Sequence, residues 1–521
     1  MSGDLTKNQD WKALFIMGER NDDTLSRDDG VSDFGTITTI DESPLQAGVL
    51  YVGTDDGNVQ LTRDGGQSWQ DVTRRFTLPG PRWVSKVLAS RHAANTAFVT
   101  FDGHQDDDFA PYIFRTGDGG TTWTSIVGDL PPGIVVNTLA EHHRNPNLLL
   151  AGTEWGLFYT LNGGRNWTLM RGNLPRVAID DIVISARDND IVLGTHGRSI
   201  IILDDIAPLE HLSTATAADA FLFPIRQATM TYTARELPPP GASEFSAPNP
   251  PYGALITYML KEAPKARPAV PAAPGTLPAT PSPATVAITV RDAQGQVVRE
   301  LTGPDSAGIH RVNWDLRHAL SFTPTAADDG WFGLPVGPFV LPGEYTVTIS
   351  ARGRQLSERV LVRADPRVNA SADGLRARYT VSQHVNEMLR AFTDASTTLD
   401  KLDAEVRRVK DLLKGQPAAA KALDQPMGEF SKKLVEARDK FKAGWGGPKF
   451  ALLDLLGQLQ ASSAAPTDAQ ARLSQQLHDS LSRDLALVNA LVTADYPALV
   501  GQFEQQKIAS GMVTPVTPIR K

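Results

Sequence analysis

Glu154 and Trp155 are adjacent in Gly152-Thr153-Glu154-Trp155-Gly156, a carboxylate beside an indole. That pairing suits a site where an acid acts on, or simply holds, a ligand whose flat face stacks on the ring. Asp55 and Asp56 occupy the matching place in Gly53-Thr54-Asp55-Asp56-Gly57, and His196 and Arg198 follow Gly194-Thr195. Two carboxyl groups facing across a cleft hydrolyse a glycoside, one as acid and one as base or nucleophile. Glu154, Asp55 and Asp56 are therefore the catalytic candidates, with Asp180, Asp181, Asp204 and Asp205 as further acids in loop-like positions. Trp155, His196 and Arg198 are the binding candidates. For each of them the structural alternative is a turn acid or a packing residue. Asp106-Asp107-Asp108 offers the oxygen ligands that Ca²⁺ takes, or else a solvated cluster. His142-His143 is the one histidine pair, and adjacent residues on a strand point to opposite faces, which disfavours a shared metal. No nucleophile elbow, P-loop, H-E-x-x-H or dinucleotide fingerprint occurs.

Composition narrows the classes. At about 150 residues per domain the 521 residues predict three to four domains. An apolar fraction of 41% and a net charge of −8 exclude a disordered chain and a nucleic-acid binder driven by bulk positive charge. The absence of cysteine removes disulfides, thiolate nucleophiles and thiolate metal sites. No apolar run is long enough for a membrane span. The polar start, Met1 to Glu19, lacks the basic-then-apolar order of a signal peptide.

The elements that must position these residues show in a repeat. Thr62–Trp69, Thr116–Trp123 and Thr160–Trp167 share the pattern T-x-[DN]-G-G-x-[STN]-W. Leu50–Gly57, Leu149–Gly156 and Ile191–Gly197 share a second, strand-like piece ending in Gly-Thr, with Ala97–Gly103 a looser copy. Short strands, Asp-Gly hairpin signals and a wedge tryptophan make each unit about four antiparallel strands, one propeller blade. Four such units are expected, at 36–73, 83–127, 134–169 and 179–205, the last without the tryptophan-bearing strand. Asp10–Phe15 reads as a leftover strand.

The three T-x-[DN]-G-G segments resemble the Asp-box, or BNR repeat, of sialidases, sortilin-type propellers and several bacterial glycoside hydrolases. Their Asp64, Trp69, Asp118, Trp123, Asn162 and Trp167 are expected to be structural, and Asn162, which is no carboxylate, favours that reading. Gly194–Asp205 resembles the propeller end of bacterial sortilin-like proteins labelled glycosyl hydrolase, a resemblance that continues downstream. It implies a periplasmic or extracellular protein. Sialidases require three clustered arginines and a tyrosine nucleophile, and Arg198 is a lone candidate for that set. Because Asp-box propellers have more than four blades, the resemblance implies the carboxyl half of such a protein. The chain is then a truncated piece, or it self-associates, or it completes a ring with another subunit.

The fold class expected is multidomain and mainly β: a partial Asp-box propeller over 1–207, an Ig-like β-sandwich and a C-terminal helical bundle. A Pro-rich linker covers 208–250. Alternating strands over 251–366 mark the sandwich, with a Pro/Ala-rich loop at 263–284. The stretch 308–317 with Pro342–Thr346 resembles Ig-like modules of the flagellar-hook-cap type. From 374 to 510 the apolar period turns helical, with Thr467–Gln470 a capping box, which predicts a bundle or hairpin, or else an oligomerisation or docking element. Residues 511–521 read as a flexible tail. Two functions follow: a binding or scaffold protein for a peptide, protein or glycan, or a glycoside hydrolase acting on a polysaccharide at the propeller centre.

Overall fold

A computed structural model describes residues 2–8, 15–16, 19–20, 35–231, 247, 249–262, 285–328, 333–442 and 446–519. The expected strand at Asp10–Phe15, apart from Phe15, and the loop 263–284 lie outside these residues. The chain is mainly β, with several antiparallel sheets and C-terminal helices, and divides into two compact units, Met1–Ala218 and Asp219–Lys521.

The first unit opens with a minimal hairpin, β1 (Phe15–Ile16) and β2 (Glu19–Arg20). Four meanders follow. The first sheet is β3 (Ile37–Glu42), β4 (Leu50–Thr54), β5 (Val59–Thr62) and β6 (Gln70–Asp71). The second is β7 (Trp83–Ala89), β8 (Ala97–Gly103), β9 (Asp108–Thr116) and β10 (Thr124–Ser125). The third is β11 (Val136–Glu141), β12 (Leu149–Thr153), β13 (Gly156–Thr160) and β14 (Thr168–Leu169). The fourth has only three strands, β15 (Ile179–Ser185), β16 (Asp190–Thr195) and β17 (Ile200–Leu203).

These sheets stack face on face, as consecutive propeller blades do. Alternation along each strand makes this possible, because neighbouring residues serve opposite faces. Val99 and Phe114 of the second sheet pack with Tyr51 and Leu61 of the first, whereas the adjoining Phe98 and Ile113 pack with Leu149 and Phe158 of the third. In the third sheet Leu149 faces backward and Leu150 forward, onto Ile182, Ile191 and Leu193 of the fourth. Helix α1 (Ala207–Ala217) closes the unit, with Pro near its start.

In the second unit β18 (Ala220–Leu222), β19 (Ala228–Met230), β20 (Ala254–Leu260), β21 (Thr285–Arg291), β22 (Val297–Pro304), β23 (Gly308–Trp314), β24 (Gly343–Ala351) and β25 (Arg354–Ala364) form two sheets, ordered β18-β20-β23 and β19-β25-β24-β21-β22. Their inner faces share one core, in which fully buried Trp314 meets Tyr345 edge-on. The stretch 208–250 is therefore no plain linker. It contributes most of α1 and two strands, of which β19 pairs in parallel with β25. Three-residue strands carry too few alternations to be seen in sequence.

The helices are α2 (Ala372–Leu413), α3 (Pro417–Lys440), α4 (Pro448–Gln460), α5 (Asp468–Ala490) and α6 (Tyr496–Gln505), with a π turn at Leu491–Asp495. The capping box forms: Thr467 Oγ1 accepts from Gln470 N at 3.2 Å and Gln470 Oε1 accepts from Thr467 N at 3.0 Å. The apolar stripe of α2 is buried among α3, α4, α5 and α6, so it holds the bundle together and is not free for docking. The tail is not loose over its described part: Asn489 brackets Val516, donating to its carbonyl at 3.1 Å and accepting from its N–H at 2.9 Å, and Val516 is buried. Among the described residues no helix is long and apolar enough to cross a membrane.

Candidate ligand-binding rim

All four innermost strands carry the same device. Ile37-Thr38-Thr39-Ile40, Val84-Ser85-Lys86-Val87, Val136-Asn137-Thr138-Leu139 and Ile179-Asp180-Asp181-Ile182 are each apolar-polar-polar-apolar, and each slips register after the first residue. This is a β-bulge, which re-aims the side chain it ejects. The ejected hydroxyls tie sheets together: Thr38 Oγ1 donates to Val84 O at 2.8 Å, and Ser85 Oγ donates to Val136 O at 2.9 Å. The residue after the bulge pairs with Gly53, Thr100, Gly152 or Gly194 in the next strand.

The turns beyond those partners form one rim. Asp55 N donates to Thr36 O at 3.0 Å, Glu154 N to Val135 O at 3.2 Å and His196 N to Ala178 O at 2.9 Å, so the three side chains hold equivalent places on three sheets. Their roles differ. Asp55 Oδ1 accepts from Gly35 N at 3.0 Å and Thr36 N at 2.7 Å, so it anchors the entry to β3. Asp56 is buried and accepts from Lys7 N at 2.6 Å and Thr54 Oγ1 at 2.5 Å. Both carboxylates, catalytic candidates by sequence, are engaged in holding nearby backbone and hydroxyl groups. Glu154 is exposed, and Trp155 beside it is 57% exposed. His196 and Arg198 are exposed, with His196 Nδ1 at 3.7 Å from Asp180. Asp204 and Asp205 follow β17 and do not join the rim turns; Asp205 caps Ala207 N at 3.2 Å.

Asp106 and Asp108 are both paired with one arginine. Arg82 lies between them, Nη1 at 3.2 Å from Asp106 and Nε at 2.9 Å from Asp108, and its guanidinium stands where Ca²⁺ was expected. Tyr112 also donates to Asp108, at 2.7 Å. Among the described residues no group of three His, Asp or Glu could hold a metal ion. His142 and His143 fall just past the end of β11, so strand alternation does not apply and their rings sit 4.5 Å apart. His142 is buried against Asn189, and burial holds its pKa below the ordinary value.

Lys86 and Asp181, 95 residues apart in the chain, are partners that residue type and local spacing do not reveal. Lys86 Nζ reaches Asp181 Oδ1 at 3.1 Å, from the second sheet to the fourth. The shared apolar-polar-polar-apolar register of V-S-K-V and I-D-D-I was the available signal. Asp41 on β3 lies near the same lysine; burial raises its pKa, while its carboxylate accepts from Ala89 N at 2.8 Å.

The T-x-[DN]-G-G turns are structural throughout. Asp64 Oδ1 accepts from Thr62 Oγ1 and Ser68 N, Asp118 repeats this with Thr116 and Thr122, and Asn162 Oδ1 with Thr160 and Asn166. Trp123 packs edge-on against Tyr51 of the preceding sheet, and Trp167 sits with Phe98 and Ile113 of its own preceding sheet. Trp69 is half-buried and donates to Gly66 O at 3.2 Å.

No protein-family model and no curated protein sequence matches the chain. Among solved structures it is similar to YCF48 bound to a D1 peptide, at 14% identity and TM-score 0.25, covering 62% of this chain and 82% of that one. It is also similar to a GH74 xyloglucanase from Xanthomonas campestris, at 13% identity and TM-score 0.28, covering 62% and 44%. A GH74 enzyme from Niastella koreensis gives 13%, 0.28, 62% and 45%. The chain thus spans under half the length of either GH74 enzyme. At such scores the likeness carries no weight in assigning function, which rests on the rim residues themselves.

Proposed function

We propose that the first unit is a partial Asp-box propeller whose rim binds a peptide, protein segment or glycan, in a periplasmic or extracellular protein whose chain continues into an Ig-like spacer and a helical bundle. The observation that carries the reading is Trp155, a large ring 57% exposed at a turn apex beside the exposed Glu154. An indole held outward by a rigid hairpin offers a stacking face at little entropic cost. Asp180, Asp181, His196 and Arg198, at the corresponding end of the fourth sheet, are the polar groups offered for further contacts. The ligand class is one with a flat apolar face and hydrogen-bond donors.

Glycoside hydrolysis is the second reading, favoured by the free carboxylate of Glu154 next to that ring. It needs a second carboxylate across a cleft. With Asp55 and Asp56 engaged by backbone N–H groups, Asp180 and Asp181 are the remaining rim candidates.

The experiment is binding of the full chain to immobilised peptide and oligosaccharide panels, alongside release of reducing sugar from the same oligosaccharides. Binding without release, weakened about tenfold by Trp155→Ala, is the expected result. Sugar release abolished by Glu154→Gln would replace binding with hydrolysis.

A further inference from the structure

The joint between consecutive sheets repeats as a knob and a hole, and the first unit shows one of each unfilled. The knob is the first apolar residue of the innermost strand. Val84, Val136 and Ile179 are each fully buried. The hole is a glycine at the strand position that pairs with the residue after the bulge, present in the first and third sheets, whereas the second sheet has Thr100 there. At Gly53 an added Cβ would lie 2.3 Å from Val84 Cγ1, and at Gly152 it would lie 2.9 Å from Ile179 Cγ2. Glycine is required at both because the knob of the following sheet occupies the space.

At the fourth sheet the hole is empty. An added Cβ at Gly194 meets nothing closer than Asp181, 3.8 Å away. Around it Val183, Ile200 and Ile202 are 56%, 67% and 57% exposed. Val183 and Ile202 both pair with Val192, so they form one row across the sheet. Three apolar side chains in the open on a three-stranded sheet mark a contact surface. At the other end the knob is unfilled. Ile37, the counterpart of Val84, Val136 and Ile179, is 46% exposed, and Ile40 beside it is 58% exposed. Residues 2–8 cover only the outer part of that face, where Asn58 and Gln60 donate to Leu5 O, and leave Ile37 and Ile40 uncovered.

We infer that the outer face of β15–β17 is closed by the first sheet of a second copy of this chain, with Ile37 of one copy seated over Gly194 of the other. Among the described residues β3 is the one innermost strand with an exposed knob, and Gly194 is the one Gly-Thr glycine without an occupant, so the chain supplies both halves of the joint. The contact is head-to-tail, and two copies that satisfy both ends form a closed ring. It lacks one feature of the internal joints: Asp180 stands where Thr38 and Ser85 donate, and a carboxylate accepts instead. The joint therefore rests on apolar packing. This is independent of what the rim binds.

The test is light scattering after size exclusion on the full chain over a concentration series, with Ile37→Asp and Gly194→Val. Both substituted positions are open within one copy, so both variants keep the wild-type circular dichroism spectrum, and the thermal transition of each falls to that of the wild-type chain diluted to monomer. The wild-type chain should run as a dimer or larger, and each variant alone as a monomer. Mixing the two variants should restore a dimer and nothing larger, because Gly194 of one and Ile37 of the other remain intact. A monomeric wild-type chain at every concentration would overturn the inference. So would association that survives both substitutions, or two monomeric variants that fail to complement.

Discussion

Lys86 on β7 and Asp181 on β15 meet at 3.1 Å, although their sheets are separated in the stack by a whole intervening sheet. The innermost strands of the second and fourth sheets therefore approach within the reach of one ion pair. The pair is itself partly exposed, so its Coulomb energy is screened by water and salt. A double-mutant cycle with Lys86→Ala and Asp181→Ala should give a coupling of about 0.2–1 kcal/mol that shrinks in high salt. A coupling of several kcal/mol would mean the pair is far drier than its surroundings indicate.

The glycines of the Gly-Thr turns are predicted to split into two classes. Gly53→Ala and Gly152→Ala place a Cβ against Val84 and against Thr138 and Ile179, at separations real Cβ atoms do not show. Overpacking of this kind costs about 1–3 kcal/mol. Gly194→Ala meets only ordinary contacts within one copy, so under conditions where the chain is dissociated it should leave the first unit's stability unchanged or slightly raised. Denaturant unfolding of the three variants reads the difference directly.

The Asp-Gly-Gly turns should respond to acid in two copies and not in the third. Hydrogen bonds from the Ser68 hydroxyl and N–H hold Asp64 down to about 2, and those from Thr122 do the same for Asp118. Both are depressed below the ordinary 3.8, so their contribution is complete above that value and is lost as pH falls toward about 2. Asn162 has no proton to gain. Asp64→Asn should keep the turn, as Asn162 does, and remove part of the acid dependence of Tm. Asp64→Ala should lower Tm at neutral pH.

His318 supplies a second acid limb, at higher pH, for the second unit. Burial pushes its pKa down from 6.5 to about 4, while Tyr379 Oη lies 3.2 Å from its Nε2. The folded state prefers the neutral ring, so stability is full above about 6.5 and falls as pH drops from there toward about 4. His318→Gln should flatten the stability profile over that window, as read by thermal unfolding between neutral and mildly acidic pH. An unchanged slope would place the titrating group elsewhere.

What was legible in the sequence was whatever is local. The Asp-Gly-Gly turns, the hairpins and the capping box at Thr467 are set by residues a few positions apart, so their types alone specify them. Within 374–510 helix α4 is the element least legible as an amphipathic helix, because its run from Phe450 to Leu459 is short and apolar around much of its circumference, which hides the period. The roles of Asp55 and Asp56 were illegible because their partners, Gly35 and Thr36 in one case and Lys7 in the other, are remote in the chain. The tail reads as flexible in sequence because nothing in its composition reveals that Asn489 has a backbone to bracket at Val516. The bulges were equally hidden. A polar pair between two apolar residues does not announce a register slip until four strands show it together.

Convergence of the inner strands is the claim on which the rim depends, and the absence of native cysteine makes it directly measurable. Lys86→Cys and Asp181→Cys introduced together into the full chain should be joined by a short bis-maleimide within one molecule, at a rate independent of protein concentration. A pair of thiols that react separately with the reagent but never with each other would place the second and fourth sheets apart and remove the common rim.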